Sequence, residues 1–194
     1  MKNTRKLTIT AIMSSLAFVL MLLEFPVPFV IPDFIKFDFS ELPALLCAFA
    51  VGPVWGAAVC IVKNLLHLFV TTTAGVGELA NCLLGICFVL PAGIVYKKIK
   101  GRTGALLGSL IGAAVGATVT LPINYYITYP FYMNFMSEEL ILGAYQLLLP
   151  GVKSIFQCLL IFNLPFTFVK FICDAAIVFF IYKPLSPIIK GKNK

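Results

Sequence analysis

The sequence predicts an all-α integral membrane protein: a bundle of six transmembrane helices with a short second helix and a proline-rich outer loop between helices 1 and 2. Three observations predict it. Of 194 residues, 60% are hydrophobic and only 12% are charged, about half the charged fraction of an ordinary globular chain. Several apolar runs approach or pass the roughly 20 residues a helix needs to cross a bilayer. The basic residues collect at the start, in the KKIKGR turn (97–102) and in the tail, as expected of cytoplasmic ends. The net charge of +7 is therefore read as membrane topology, with the bilayer as partner and no nucleic acid.

Each element follows from the breaks. Span 1 covers about 7–25. Its basic start fits a signal peptide, but Glu24-Phe25-Pro26 is not a small-residue cleavage site, so the run is read as retained. The loop FPVPFVIPDFIKFD follows. Span 2 is about 40–51 and ends at Gly52-Pro53; span 3 is about 53–72; TTTAGVG leads to span 4, about 78–96. After KKIKGR comes span 5, about 103–128, then the loop YPFYMNFMSEE with a surface helix after it, and span 6, about 154–182. The whole of 1–194 reads as one membrane domain.

Gly52-Pro53 could be a kink or a reversal, and charge parity decides between them. With a cytoplasmic N-terminus and a reversal there, eleven of the fifteen Lys/Arg residues face the cytoplasm: Lys2, Arg5, Lys6, Lys97, Lys98, Lys100, Arg102, Lys183, Lys190, Lys192 and Lys194. The outer loops then receive Asp33, Asp38, Glu41, Glu78, Glu138 and Glu139. A kink would put the KKIKGR turn on the wrong side, so both termini are placed in the cytoplasm of a bacterial plasma-membrane protein. Span 2, about 18 Å long at 1.5 Å per residue, is too short to cross alone. Its outer end must start deep or be covered by the preceding loop, leaving a pocket open to the outside. Ser40 or Asp38 is expected to cap its first amides, and Pro43 fits its first turn.

Intramembrane ionisable residues are the functional candidates, because they are costly to bury. Span 3 carries Lys63 and His67 one turn apart, with Glu78 across the TTTAGVG loop and expected to neutralise Lys63. Span 6 carries Lys170 with Asp174 one turn on. They form either a self-satisfied pair or a lysine pointing into a cavity. Asn81 and Asn124 offer donors and an acceptor together, for a ligand or for a neighbouring helix. Gly104, Gly108, Gly112 and Gly116 form a packing stripe on span 5. Ala11 and Ser15, with Ser14 and Ala17 adjacent, make a small-residue face on span 1 suited to docking another membrane subunit. The six cysteines (47, 60, 82, 87, 158 and 173) read as free packing thiols without metal spacing. There is no GxxxxGK[ST], GxSxG or HExxH, so the chain reads as neither an enzyme nor an ATPase.

KFDFSELPAL after a proline-rich loop, then KNLLHL, GVGELANCLLG and a last helix ending YKPLSPIIK resemble the riboflavin-specific S component of energy-coupling factor transporters. The resemblance spans nearly the whole chain. It implies a six-helix bundle that captures riboflavin from outside, with FMN left open as a second ligand and no resident cofactor. It also implies a complex with one transmembrane coupling subunit and two ATP-binding-cassette ATPases, which would supply the energy. Ala11 matches the first of two small docking residues in the family's first helix, and Ser15 replaces the second. Helix 6 of the family carries Asn-x-x-Lys after Pro-Phe; here PFTFVK places Lys170 in register but puts Thr167 where asparagine is expected. Asn163 or Asn124 could compensate, or a water. Asn124 is matched to a helix 5 asparagine. Within the outer-loop motif, Asp38, Glu41 and Leu42 join Glu78 and Asn81 as substrate-binding candidates, the carboxylates accepting from ribityl hydroxyls.

Two other readings stay open on the residues alone. One is an S component for a different vitamin. The other is an autonomous proton- or sodium-driven carrier using Lys63, His67 and Glu78 as a relay, although the chain shows no evident inverted repeat.

Overall fold

The apolar runs form helices, the solution that satisfies every backbone polar group without water. The computed structural model describes residues 3–190, with side-chain environments from 3 to 182. Lys2, Lys192 and Lys194, counted above as cytoplasmic charges, lie outside the described residues, as do the side chains of Lys183 and Lys190. The helices are α1 (Asn3–Leu22), α2 (Glu41–Ala50), α3 (Pro53–His67), α4 (Val76–Lys98), α5 (Arg102–Ile123), α6 (Tyr129–Tyr132), α7 (Glu138–Gln146), α8 (Ile155–Cys158) and α9 (Leu164–Lys190). Five stretches are long and apolar enough to cross a bilayer: Asn3–Leu22, Pro53–Val70, Val76–Lys98, Arg102–Tyr132 and Ile155–Tyr182.

Helix α2 is the short one, 10 residues long, or about 15 Å. Its place in the bundle explains how so short a rod is tolerated. It packs against α1, α3, α4 and α9, and Ala44, Leu45 and Cys47 are fully buried. A helix sheathed in protein has no lipid to match, so bilayer thickness does not set its length. The chain reverses after it. Gly52, at φ 142°, takes a backbone shape that side-chain-bearing residues rarely adopt, and Pro53 opens α3. Gly56 then lies so close to α2 that a Cβ there would meet Ala44 O at 2.7 Å.

The glycine stripe of α5 does pack helices together. A Cβ on Gly108 would fall 2.6 Å from Ala92 O, one on Gly112 would press on Phe88 O, and one on Gly116 would strike the Phe171 ring at 2.5 Å. Antiparallel α4 and α5 thus approach backbone to backbone, with α9 across the top of the stripe. Gly104 meets only Ile99 in the connecting turn. On α1 the small residues divide. Ser14 and Ala17 are buried against the bundle, whereas Ala11 and Ser15 are exposed, so the outward face is narrower than the sequence reading drew it. Of the cysteines, Cys47, Cys60 and Cys158 are buried and all six are free thiols.

At the opposite end from KKIKGR, the proline-rich loop is pinned at its base. Phe25–Pro26 (β1) and Lys36–Phe37 (β2) pair antiparallel, Phe25 opposite Phe37, and Lys36 Nζ reaches Glu24 Oε1 at 2.5 Å. The YPFY segment, read as loop, instead prolongs α5. The helix widens into a π-turn at Asn124–Thr128 and continues through α6. A second π-turn, Leu159–Asn163, joins α8 to α9. In both, an amide bonds back five residues, Tyr129 to Asn124 O and Leu164 to Leu159 O, and the next residue is a proline (Pro130, Pro165). Proline has no amide to donate and its ring crowds the preceding turn; widening the helix relieves both. The surface helix expected after YPFYMNFMSEE is α7, capped by Ser137, whose side chain accepts from Leu140 N.

Candidate ligand-binding site

A cavity opens at the end of the bundle where the proline-rich loop, the 71–75 turn, the start of α4 and the π-turn ends of α5 and α9 converge. It encloses about 1080 Å³ when the open space at its mouth is counted. Seven of the sequence candidates line it: Asp38, Glu41, Glu78, Asn81, Asn124, Thr167 and Lys170. Leu42 does not; it is buried in the core around α2.

Beneath the cavity lies a buried charge cluster. Lys63 Nζ is 2.5 Å from Glu41 Oε1 and also donates to Ser40 Oγ. Lys170 Nζ donates to Asp38 Oδ2 at 2.7 Å and lies 3.4 Å from Glu41 Oε2. Lys63 is wholly inaccessible and Glu41 only 1% exposed, so these ions are held by each other and not by water. The second oxygen of Asp38 accepts the Ser40 amide at 2.8 Å. Neither Asp38 nor Ser40 makes the helix cap expected of it; Ser40 stands at the N-cap without a side-chain bond to an amide of α2. Burial alone would raise the Asp38 carboxyl. The lysines Lys170 and Lys63, with hydrogen bonds from Lys170 and Ser40, outweigh it and hold the group down at about 2.

One expected pairing is corrected here, and one open choice is decided. Lys63 is neutralised by Glu41 at the start of α2, not by Glu78. Glu78 instead meets His67 Nδ1 at 2.9 Å and accepts from Thr73 Oγ1 at 2.9 Å. Lys170 does not close on Asp174 in a local pair. It turns toward the cavity floor and Asp38, and both oxygens of fully buried Asp174 have no hydrogen-bond partner among the described residues.

Above the floor the walls carry the Glu24–Lys36 pair and Glu78, and are otherwise polar and uncharged. Asn81 Oδ1 accepts from Asn64 Nδ2 of α3 at 3.3 Å, and Thr167 Oγ1 lies 3.3 Å from Thr120 Oγ1. Asn124 begins one π-turn and Asn163 ends the other, and both face the cavity. Asn163 is tied into a network that sequence reading missed: its Oδ1 accepts from Tyr145 Oη at 2.7 Å, its Nδ2 donates to Tyr129 Oη at 3.2 Å, and the two phenols bond each other. Thr128 Oγ1, buried at the cavity wall, has no partner. Phe34, Tyr132, Phe166 and Phe171 add aromatic surface. The missed residues, Thr128, Tyr129 and Tyr132, had a signal, the X-Pro step at 129–130, where the helix widens into a π-turn beside the cavity. The set matches a flat, largely apolar solute with a mixed donor and acceptor edge.

The model for "ECF transporter, substrate-specific component" matches residues 5–182. The chain belongs to that family. The substrate-specific components are transporter parts rather than an enzyme class. Relatives within reach include the riboflavin transporter RibU of Staphylococcus aureus (strain TCH60), 33% identical over 98% of this chain and 95% of the relative. Another is the riboflavin transporter FmnP of Bacillus subtilis (strain 168), 32% identical over 98% and 97%. A solved S component of a bacterial ECF transporter superposes with a TM-score of 0.75 at 30% identity, covering 98% of this chain and 99% of that one. Membership makes this a multi-pass membrane protein, consistent with its five long apolar stretches.

Proposed function

We infer that the chain is the riboflavin-binding subunit of an ATP-driven ECF vitamin uptake transporter. The observation that carries the reading is the coincidence of full-length similarity to two riboflavin transporters with a cavity of the right size and chemistry at one end of the bundle. Its one membrane domain crosses the bilayer six times, α2 being the short crossing. The N-terminus lies in the cytoplasm together with the KKIKGR turn and the tail. The cavity then faces outside. The isoalloxazine ring lies among Phe34, Tyr132 and Phe166, its carbonyl and N–H edge meets Asn124, Asn163, Thr167 and Lys170, and the ribityl chain reaches Asp38, Glu41, Glu78 or Asn81. Thr167 is shorter than asparagine, and Asn163 beside it supplies the paired amide. FMN would add a phosphate where Lys36 and Lys170 are the nearest cationic candidates. The chain has no nucleotide site of its own; a transmembrane coupling subunit and two ABC-type ATPases supply the energy, docking at the exposed Ala11 and Ser15 of α1.

The relay of an autonomous carrier loses its support, because Lys63 is bonded to Glu41 and Ser40 while His67 is bonded to Glu78. The test is titration of the detergent-purified chain with riboflavin, followed by flavin fluorescence. Saturable quenching at one equivalent is expected. No quenching, with thiamine or biotin binding instead, would overturn the substrate and leave the family standing.

A further inference from the structure

A second cavity lies at the other end of the molecule, unconnected with the first. It is a groove of about 610 Å³ between α5 and α9, floored by Phe49, Ala105 and Ala175 and flanked by Leu106, Phe179 and Phe180. Ser109 is the single polar residue in its lining. Small residues make it: alanines at 105, 175 and 176 leave room where larger side chains would close the helices. Along α9 the lined stretch from Ile172 to Phe180 is about 12 Å long at 1.5 Å per residue.

One end of the groove is strongly charged. Ala105 is three residues from Arg102 at the start of α5, and Lys97, Lys98, Lys100 and Arg102 of the α4–α5 turn are exposed. Among the described residues none of the four is in an ion pair. No acidic residue answers them. Seven of the eight Asp/Glu residues lie at the cavity end or in its flanking loops, and the eighth is buried Asp174. An apolar slot whose mouth carries four cations matches one kind of membrane molecule in both halves.

We propose that this groove is a binding site for an anionic phospholipid. One acyl chain lies in the slot between α5 and α9, and the phosphate is held by Lys100 and Arg102 with Lys97 and Lys98 around it. A zwitterionic lipid would fill the slot but gain less at the mouth, and a partner helix would fill the slot and leave the cations unanswered. The site is independent of the vitamin and of the cavity that holds it.

The experiment is native mass spectrometry of the full chain from micelles containing equimolar phosphatidylglycerol and phosphatidylcholine with the same acyl chains. The wild type is expected to retain phosphatidylglycerol at least fivefold over phosphatidylcholine. Lys100→Gln with Arg102→Gln should bring the ratio close to one while lipid is still carried. Ala176→Phe, a change at an exposed position that fills the slot, should cut total retained lipid at least threefold; Ala176→Leu, with circular dichroism unchanged, serves if the phenylalanine variant aggregates. A wild-type ratio near one, or variants that leave both ratio and occupancy unchanged, would mean annular lipid only and overturn the proposal. So would a second copy of the chain found in place of lipid.

Discussion

Lys63→Met should be among the most damaging single substitutions in this protein. Lys63 is wholly buried, and its ammonium contacts Glu41 and Ser40. Without it, Glu41 keeps only Lys170 at 3.4 Å, which Asp38 already claims at 2.7 Å. The cluster passes from two lysines facing two carboxylates, Asp38 and Glu41, to one facing two. Removing one partner of a buried pair costs about 3–5 kcal/mol; at roughly 2–4 °C per kcal/mol for a chain of this size, apparent melting should fall by roughly 6–20 °C. Removing charge from the other side should restore much of it. Lys63→Met with Glu41→Gln takes out both ends of the pair, and replacing a whole buried pair is often neutral. The assay is the fraction of detergent-solubilised protein that stays monodisperse after heating. A loss under about 2 °C for Lys63→Met, or a double variant no better than the single, would refute the account of the cluster as mutually neutralising.

Three further outcomes follow from named contacts. Lys170→Ala should weaken riboflavin binding at least tenfold by titration and also lower stability, because it strands Asp38; adding Asp38→Asn should recover stability but not affinity. The Asp38 carboxyl, ordinarily near 3.8 and held at about 2 in the fold, contributes about 2 kcal/mol. That contribution is present in full above about pH 4 and is lost as pH falls toward 2, so Asp38→Asn should flatten the thermal stability profile over that window. Ala11→Leu with Ser15→Leu places bulk on the exposed side of α1 and should abolish ATP-dependent uptake by the assembled transporter while leaving riboflavin titration unchanged; loss of both would mean a fold defect.

Much of the site was legible in the sequence because charge in an apolar chain is conspicuous. Asp38, Glu41, Glu78 and Lys170 stand out against their neighbours, and each lines the cavity. Which charge meets which was not legible. Separation along the chain suggested Lys63 with Glu78 and left Lys170 between Asp174 and the cavity, whereas the bundle sets the pairing: the loop carrying Asp38 folds over α9, 132 residues away. Leu42 shows the converse error, since its place within a motif says nothing of which way a helix turns it. The π-turns escaped a reading built on a fixed helical period. The YPFY segment with Pro130 was read as a loop, and Tyr129 and Tyr132 went unweighed as cavity residues.

The short second helix and the buried ions are one device. A helix of 10 residues enclosed by α1, α3, α4 and α9 brings its N-terminus to mid-bundle, and Ser40 and Glu41 arrive there with it. Carboxylates at that depth are costly without cations, and Lys63 from α3 and Lys170 from α9 reach them. The result ties the proline-rich loop, α2, α3 and α9 to a single point directly under the cavity. Because the lysines are consumed in holding the carboxylates, the floor presents little net charge to a solute, and the walls that remain offer amides, hydroxyls and rings. Such a site favours a neutral, flat ligand over an ionic one. A singly charged vitamin would gain less here, because it could reach an opposite charge only by breaking a pair on which the bundle depends.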